Sequence, residues 1–172
     1  MFQLYNGVLR AMATGGKIQR GKHEGEPVKD LFVTTIHAIN SGVIKLGRLQ
    51  PCCPVFRGLS GMKLPAAFLE ANAHNTCGAV EFGFTSTTTD RSVAVQYSRG
   101  AKSKSSLIYE MRMGMISRGA SLGWLSQYPE EAEILIPPLL AIELEEMHET
   151  ADGTLVCKMG LNCNLQSKTI EE

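Results

Sequence analysis

The sequence has no net charge to speak of: 17 Lys and Arg balance 17 Asp and Glu. Nothing in that balance favours nucleic acid or an anionic membrane as a main partner. No apolar run is long enough to span a bilayer. The start, Met1-Phe2-Gln3-Leu4-Tyr5-Asn6, has neither a basic leader nor a sustained apolar stretch, so it does not read as a secretory signal. The five cysteines (Cys52, Cys53, Cys77, Cys157, Cys163) are odd in number and form no C-x-x-C pair, and the four histidines are scattered. A zinc site or a disulfide framework is therefore not expected. Reduced thiols in a cytoplasmic protein are the simplest reading, with no metal. Internal repeats are absent, as is any boundary that would mark a second domain.

What is present begins with helical periodicity. Leu4, Val8 and Met12 recur every four residues, and Gly15-Gly16 closes that helix. Lys17–Pro27 reads as a loop. A second helix is expected from Val28 to about Leu46, with Phe32, Ile36, Ile39, Val43 and Leu46 forming its apolar stripe. Pro51–Pro54 breaks the pattern. Val55-Phe56 is a short β-prone pair that Gly58 would end, which puts Arg57 at a strand end. Leu64–Asn72 suggests a short helix. Cys77–Phe84 turns β-prone after its glycines, and Thr85–Asp90 is a run of hydroxyls in which Thr89 or Asp90 would cap a helix over 91–98. Gly100–Ser106 reads as a loop. Strands follow at Leu107–Met113, Leu139–Met147 and Thr154–Met159, the last two joined by an Asp152-Gly153 turn, and the tail from Gln166 on is polar. Helices come first and strands later, so the class is α+β. One domain is expected over 1–172, with a helical part at 1–48 and a β-rich core at 52–165.

Between Trp124 and Pro138 an aromatic, polar turn leads into Glu131-Ala132-Glu133 and the apolar run Ile134-Leu135-Ile136. If this segment is extended, Glu131 and Glu133 share a face and stand about 6–7 Å apart. Two carboxylates held so close suit a cationic, oxocarbenium-like transition state. Arg57 beside a glycine offers a planar fork that matches a diphosphate. Ser86, among the hydroxyls, could orient a catalytic carboxylate. Each of these features taken alone also describes an ordinary surface turn, a loop arginine or a helix cap.

Phe56-Arg57-Gly58, Phe84-Thr85-Ser86-Thr87-Thr88 and Glu131-Ala132-Glu133 occur in this order. The sequence thereby resembles the Arg–Ser–Glu class of mono-ADP-ribosyltransferases, which includes the actin-modifying clostridial toxins and the vertebrate arginine-specific ecto-enzymes. That class carries an aromatic-Arg-Gly strand end, a Ser-Thr-Ser motif and a Glu-x-Glu on the loop that selects the target. The likeness spans roughly residues 28–145. It includes Thr35–Gly42 ahead of the arginine strand and Leu125–Pro129 ahead of the two glutamates. One departure is Thr88, where the family usually has its second Ser; a hydroxyl is retained.

The resemblance implies a split β-sandwich, two small sheets around an NAD cleft with helices packed on one side. It implies that Arg57 binds the NAD phosphates and that the Gly58 backbone bonds the nicotinamide amide. Ser86 would orient Glu133, and Glu133 would stabilise the oxocarbenium. Glu131 would seat and activate an acceptor arginine. Tyr128 would meet the protein target, and Trp124 would either join it or anchor the loop in the core. NAD is then a substrate, the partner is an arginine-bearing protein, and the chain is expected to act as a monomer. The rival readings are an NAD glycohydrolase and a non-catalytic module that binds NAD or a protein.

Overall fold

The structure is a computed structural model that describes residues 2–17, 31–73, 75–100 and 105–163. Residues 18–27 of the expected 17–27 loop, the first residues of the expected second helix, most of the expected 100–106 loop and the polar tail lie outside the described residues.

Helix α1 spans Phe2–Ala13 and ends at Gly15 and Gly16, both with positive φ. Its buried stripe runs through Val8 and Ala11, whereas Met12 is exposed. The predicted stripe was thus one residue off at its end. Helix α2 spans Val33–Gly47 and starts later than the periodicity predicts. Phe32 just before it adopts a left-handed conformation (φ 56°), which stops the helix from reaching further back. Its ring meets Tyr5 of α1 edge-on at 5.5 Å. Val8 and Ala11 pack with Phe32 and Ile36, which joins the two helices. The other buried end of α2, through Val43, packs on the sheet with Phe84, Ala120 and Leu135.

Eight strands follow: β1 Pro54–Ser60, β2 Gly78–Glu81, β3 Thr85–Thr88, β4 Ser106–Arg112, β5 Ala120–Ser121, β6 Glu133–Ile136, β7 Leu140–Glu149 and β8 Thr154–Asn162. They are hydrogen-bonded in the order β2-β7-β8-β4-β1-β3-β6-β5. The long arm ends at β1 and the short arm begins at β3. The two arms meet at a single residue pair, Phe56 opposite Thr88. Val55, Leu107, Met111, Leu140 and Met159 of the long arm share one buried cluster with Ile134 and Ile136 of the short arm. The two arms therefore supply one core from either side of a narrow seam. The class is the expected α+β, with the eight strands hydrogen-bonded as one large sheet that narrows to this single pair where the expected split falls.

The Ile134-Leu135-Ile136 run is apolar throughout because both its faces are covered. Ile134 and Ile136 face the main core, while Leu135 faces α2. Helix α3, Arg91–Arg99, lies across β1. Asp90 caps it, accepting from Ser92 N at 2.8 Å, and its last residue, Arg99, pairs with Asp152 in the β7–β8 turn.

Three local expectations need correction. Gly58 does not end its strand: β1 runs on to Ser60, so Arg57 stands in mid-strand. The reason is tertiary. Helix α3 crosses so close that a Cβ at Gly58 would lie 1.9 Å from the Ala94 carbonyl oxygen, and only glycine fits beneath it. The expected helix at 64–72 shrinks to a 3₁₀ turn at Ala66–Phe68, which drops Phe68 into the core. The glycine-bearing stretch 114–127 contributes the short strand β5, which extends the short arm. Among the described residues, no helix is long and apolar enough to cross a membrane, and no cluster of three or more His, Cys, Asp or Glu is placed to hold a metal.

Candidate active site

The seam between the arms opens into a cavity of about 240 Å³. Arg57 and Gly58 of β1, Ser86 and Thr88 of β3, and Glu131 and Glu133 all line it. Strand β1 supplies one wall, β3 and the start of β6 the other, and α3 closes the end.

Alternation along β3 sorts its hydroxyls. Thr87 is buried and donates to the Ile134 carbonyl at 2.8 Å, locking β3 to β6. Ser86 and Thr88 point the other way, toward the cavity. Ser86 Oγ donates to Glu133 Oε1 at 2.6 Å, a short charge-assisted bond. Thr88 Oγ1 donates to the Glu131 carbonyl at 2.6 Å and accepts from Asp90 N at 2.9 Å. Thr88, the residue that departs from the family's usual Ser, thus ties the glutamate loop to the strand through its hydroxyl.

Glu131 and Glu133 do not lie on one extended segment. Pro129–Glu131 forms a 3₁₀ turn, Ala132 is left-handed (φ 47°, ψ 47°), and only Glu133 begins the strand. The turn is closed by Glu131 N to Tyr128 O at 3.1 Å and Ala132 N to Pro129 O at 3.3 Å. Pro129 favours such a turn, since its fixed φ suits a first helical position. The predicted same-face geometry is therefore wrong. The two carboxylates still line one cavity because the turn brings Glu131 back over the seam.

Arg57 is half-buried, and its Nη1 reaches the Ser86 carbonyl at a long 3.4 Å. Among the described residues no carboxylate pairs with it. Burial pulls its pKa below the ordinary guanidinium value, and the Glu81 carboxylate opposes that pull. Glu81 is itself held by a fork from Arg10, with Nε and Nη2 at 3.0 and 3.1 Å, and accepts from Gly83 N at 2.9 Å. Buried Asn6 of α1 bonds both the Phe84 N–H (2.8 Å) and its carbonyl (2.9 Å). Helix α1 therefore fixes the approach to β3, and through it Ser86. Trp124 and Tyr128 are exposed, 70% and 51%, on the loop ahead of the glutamates. Trp124 does not anchor that loop in the core.

The sequence reading missed Tyr97. Val93, Ala94 and Tyr97 are spaced by one and three on α3 and present one face to the cavity. The Tyr97 hydroxyl donates to Glu131 Oε1 at 2.6 Å. That bond, with lesser contributions from burial and from nearby Tyr128 and Glu133, pushes its pKa up to about 12. The helical spacing was visible in the sequence, but nothing there showed which carboxylate the phenol would meet.

The family model of NAD:arginine ADP-ribosyltransferases matches residues 3–159. No curated protein matches the chain. Among solved structures, the ADP-ribosyltransferase HopU1 of Pseudomonas syringae pv. Tomato DC3000 superposes with a TM-score of 0.67 at 21% identity, covering 93% of this chain and 64% of HopU1. The Vis toxin of Vibrio splendidus gives 0.61 at 18%, covering 97% and 70%. Exoenzyme S of Pseudomonas aeruginosa, bound to carba-NAD and human 14-3-3 protein beta, gives 0.54 at 17%, covering 91% and 66%. The chain spans about two thirds of the length of these structures, and at such identities the likeness establishes the ADP-ribosyltransferase fold. With the family model matched over most of its length, the chain belongs to the NAD:arginine ADP-ribosyltransferases.

Proposed function

We propose that this chain transfers ADP-ribose from NAD to an arginine side chain of a protein target, with Arg57, Ser86 and Glu133 as its Arg–Ser–Glu set. The observation that carries the reading is the 2.6 Å bond from Ser86 to Glu133 in a cavity that also holds the Arg57 guanidinium, which pairs with no carboxylate among the described residues. Arg57 clamps the diphosphate, and the Gly58 backbone holds the nicotinamide amide. The bond between the ribose C1′ and the nicotinamide nitrogen breaks, and its electron pair leaves with neutral nicotinamide. Glu133, oriented by Ser86, bonds the ribose 2′-hydroxyl and stabilises the oxocarbenium left behind. A guanidine nitrogen then forms the new bond to C1′ and gives its proton to Glu131. Trp124 and Tyr128 stand exposed where a protein surface would arrive. Family relatives supply consistent ligands: one solved structure of Vis holds agmatine, an arginine mimic, and Exoenzyme S holds carba-NAD.

Glu131→Gln tests the arginine assignment. Agmatine modification is expected to fall on the order of 10-fold or more, because a charge-assisted bond to the guanidinium becomes a neutral one and the proton acceptor is lost. Nicotinamide release to water should fall much less. Undiminished agmatine transfer in this variant would sink the assignment. Wild-type protein that releases nicotinamide yet never modifies agmatine would be a glycohydrolase instead.

Arg57→Lys keeps the charge but loses the planar fork. NAD is expected to bind on the order of 10-fold more weakly by calorimetry, since a bidentate pair becomes a point contact. Among the described residues Arg57 makes a single long hydrogen bond, so the melting temperature should move by less than about 3 °C. Equal NAD affinity in the variant would remove Arg57 as the clamp.

A further inference from the structure

Glu131 is held at both ends by hydroxyls from different elements. Thr88 of β3 donates to its carbonyl, and Tyr97 of α3 donates to its carboxylate, both at 2.6 Å. The turn between them contains a left-handed alanine, a conformation that L-residues seldom adopt without support from their surroundings. The carboxylate would otherwise swing freely at the cavity rim, since the turn is exposed on its Pro129-Glu130 side. Among the described residues the Tyr97 bond uses Oε1 only, and no donor reaches Oε2.

We infer that Tyr97 is a positioning residue for the acceptor: its hydroxyl holds Glu131 by one oxygen and presents the other to an incoming guanidinium. This deepens the proposed arginine transfer and rests on it. It has a specific consequence. The acceptor meets one carboxylate oxygen rather than a two-oxygen fork, with the Tyr97 phenol beside it. Helix α3, through its seat on β1, then sets acceptor geometry as well as closing the cavity.

Tyr97→Phe keeps the ring on α3 and removes only the hydroxyl. The KM for agmatine is expected to rise on the order of 10-fold, the scale of a lost charge-assisted bond. The ratio of agmatine modified to nicotinamide released should fall with it, while the KM for NAD shifts far less. A ratio equal to wild type, or KM values for NAD and agmatine rising together, would overturn the inference. A second measurement does not depend on transfer. Rapid pH-jump titration followed by tyrosinate absorbance, with Tyr97→Phe used to identify the Tyr97 step, should place that step at about 12 in the wild type. In Glu131→Gln it should move down toward an ordinary phenol value, about 10. An unmoved step would show that Glu131 does not hold Tyr97 in solution. If the wild type never modifies agmatine while the step does move, the proposed function fails and the Tyr97–Glu131 clamp stands.

Discussion

Glu133→Gln is expected to lower both agmatine modification and nicotinamide release to water by ~10²–10³. The two reactions share one cation, so the loss must be parallel. Glutamine preserves the length and shape of the side chain and can still accept from Ser86 Oγ, which stands 2.6 Å from Glu133 Oε1. What it lacks is the negative charge opposite the developing oxocarbenium. That charge sits on a half-buried side chain lining the cavity, where bulk water screens it less than it would a surface glutamate. Glu133 opens β6 and pairs across to Thr88, so its backbone is fixed by the ladder and the substitution should not disturb folding. The measurement is nicotinamide release with and without agmatine at saturating NAD, variant beside wild type. Hydrolysis that survives within a factor of a few would mean that Glu133 is not the stabilising carboxylate. The contrast with Glu131→Gln separates the two acids, one acting on the cation and the other on the acceptor.

Much of the fold was legible because local pattern and tertiary demand agree. The strand at 106–112 forms where a strand is predicted and buries Leu107, Tyr109 and Met111, Asp90 caps a helix, and Gly15-Gly16 closes α1. Where they disagree, the sequence misleads. Glycine at 58 argues for a strand end by propensity, yet the strand continues because a helix must pass directly over it. The spacing of Glu131 and Glu133 suggests an extended pair, yet Pro129 starts a tight turn that Ala132 completes with positive φ. Nothing in alanine's own preferences announces that conformation. The start of α2 slipped for a related reason, the left-handed Phe32. Arg57, Ser86 and the two glutamates were found as ordered motifs along the chain. Tyr97 carried no motif, since its meaning comes only from where α3 docks. Asn6 was likewise an ordinary polar residue in a helix until the structure set it against Phe84.

The docking of α3 on β1 can be tested at a single atom. Gly58→Ala adds a methyl that would lie 1.9 Å from the Ala94 carbonyl oxygen and 2.7 Å from Ser98 N. Both neighbours are helix backbone, so no side chain can swing aside to relieve the clash. Either α3 lifts from the sheet or β1 bows away from it, and overpacking of this kind costs about 1–3 kcal/mol and occasionally more. For a domain of this size each kcal/mol lowers the melting temperature by about 2–4 °C. Gly114→Ala is the matched control, because a Cβ there meets nothing within 4 Å, and it should change stability by no more than about 0.5 kcal/mol. The loss in Gly58→Ala should extend to function, since Val93, Ala94 and Tyr97 of α3 line the cavity. Raising the helix draws the Tyr97 hydroxyl off Glu131, and Arg57 beside the new methyl shifts with β1. Agmatine transfer measured well below the melting point should therefore fall further than the folded fraction does. A Gly58→Ala protein with wild-type melting would mean that α3 does not bear on β1 as described. One that melts early yet keeps its full transfer rate below that temperature would separate the helix's seat from the acceptor geometry and leave Thr88 as the chief hold on Glu131.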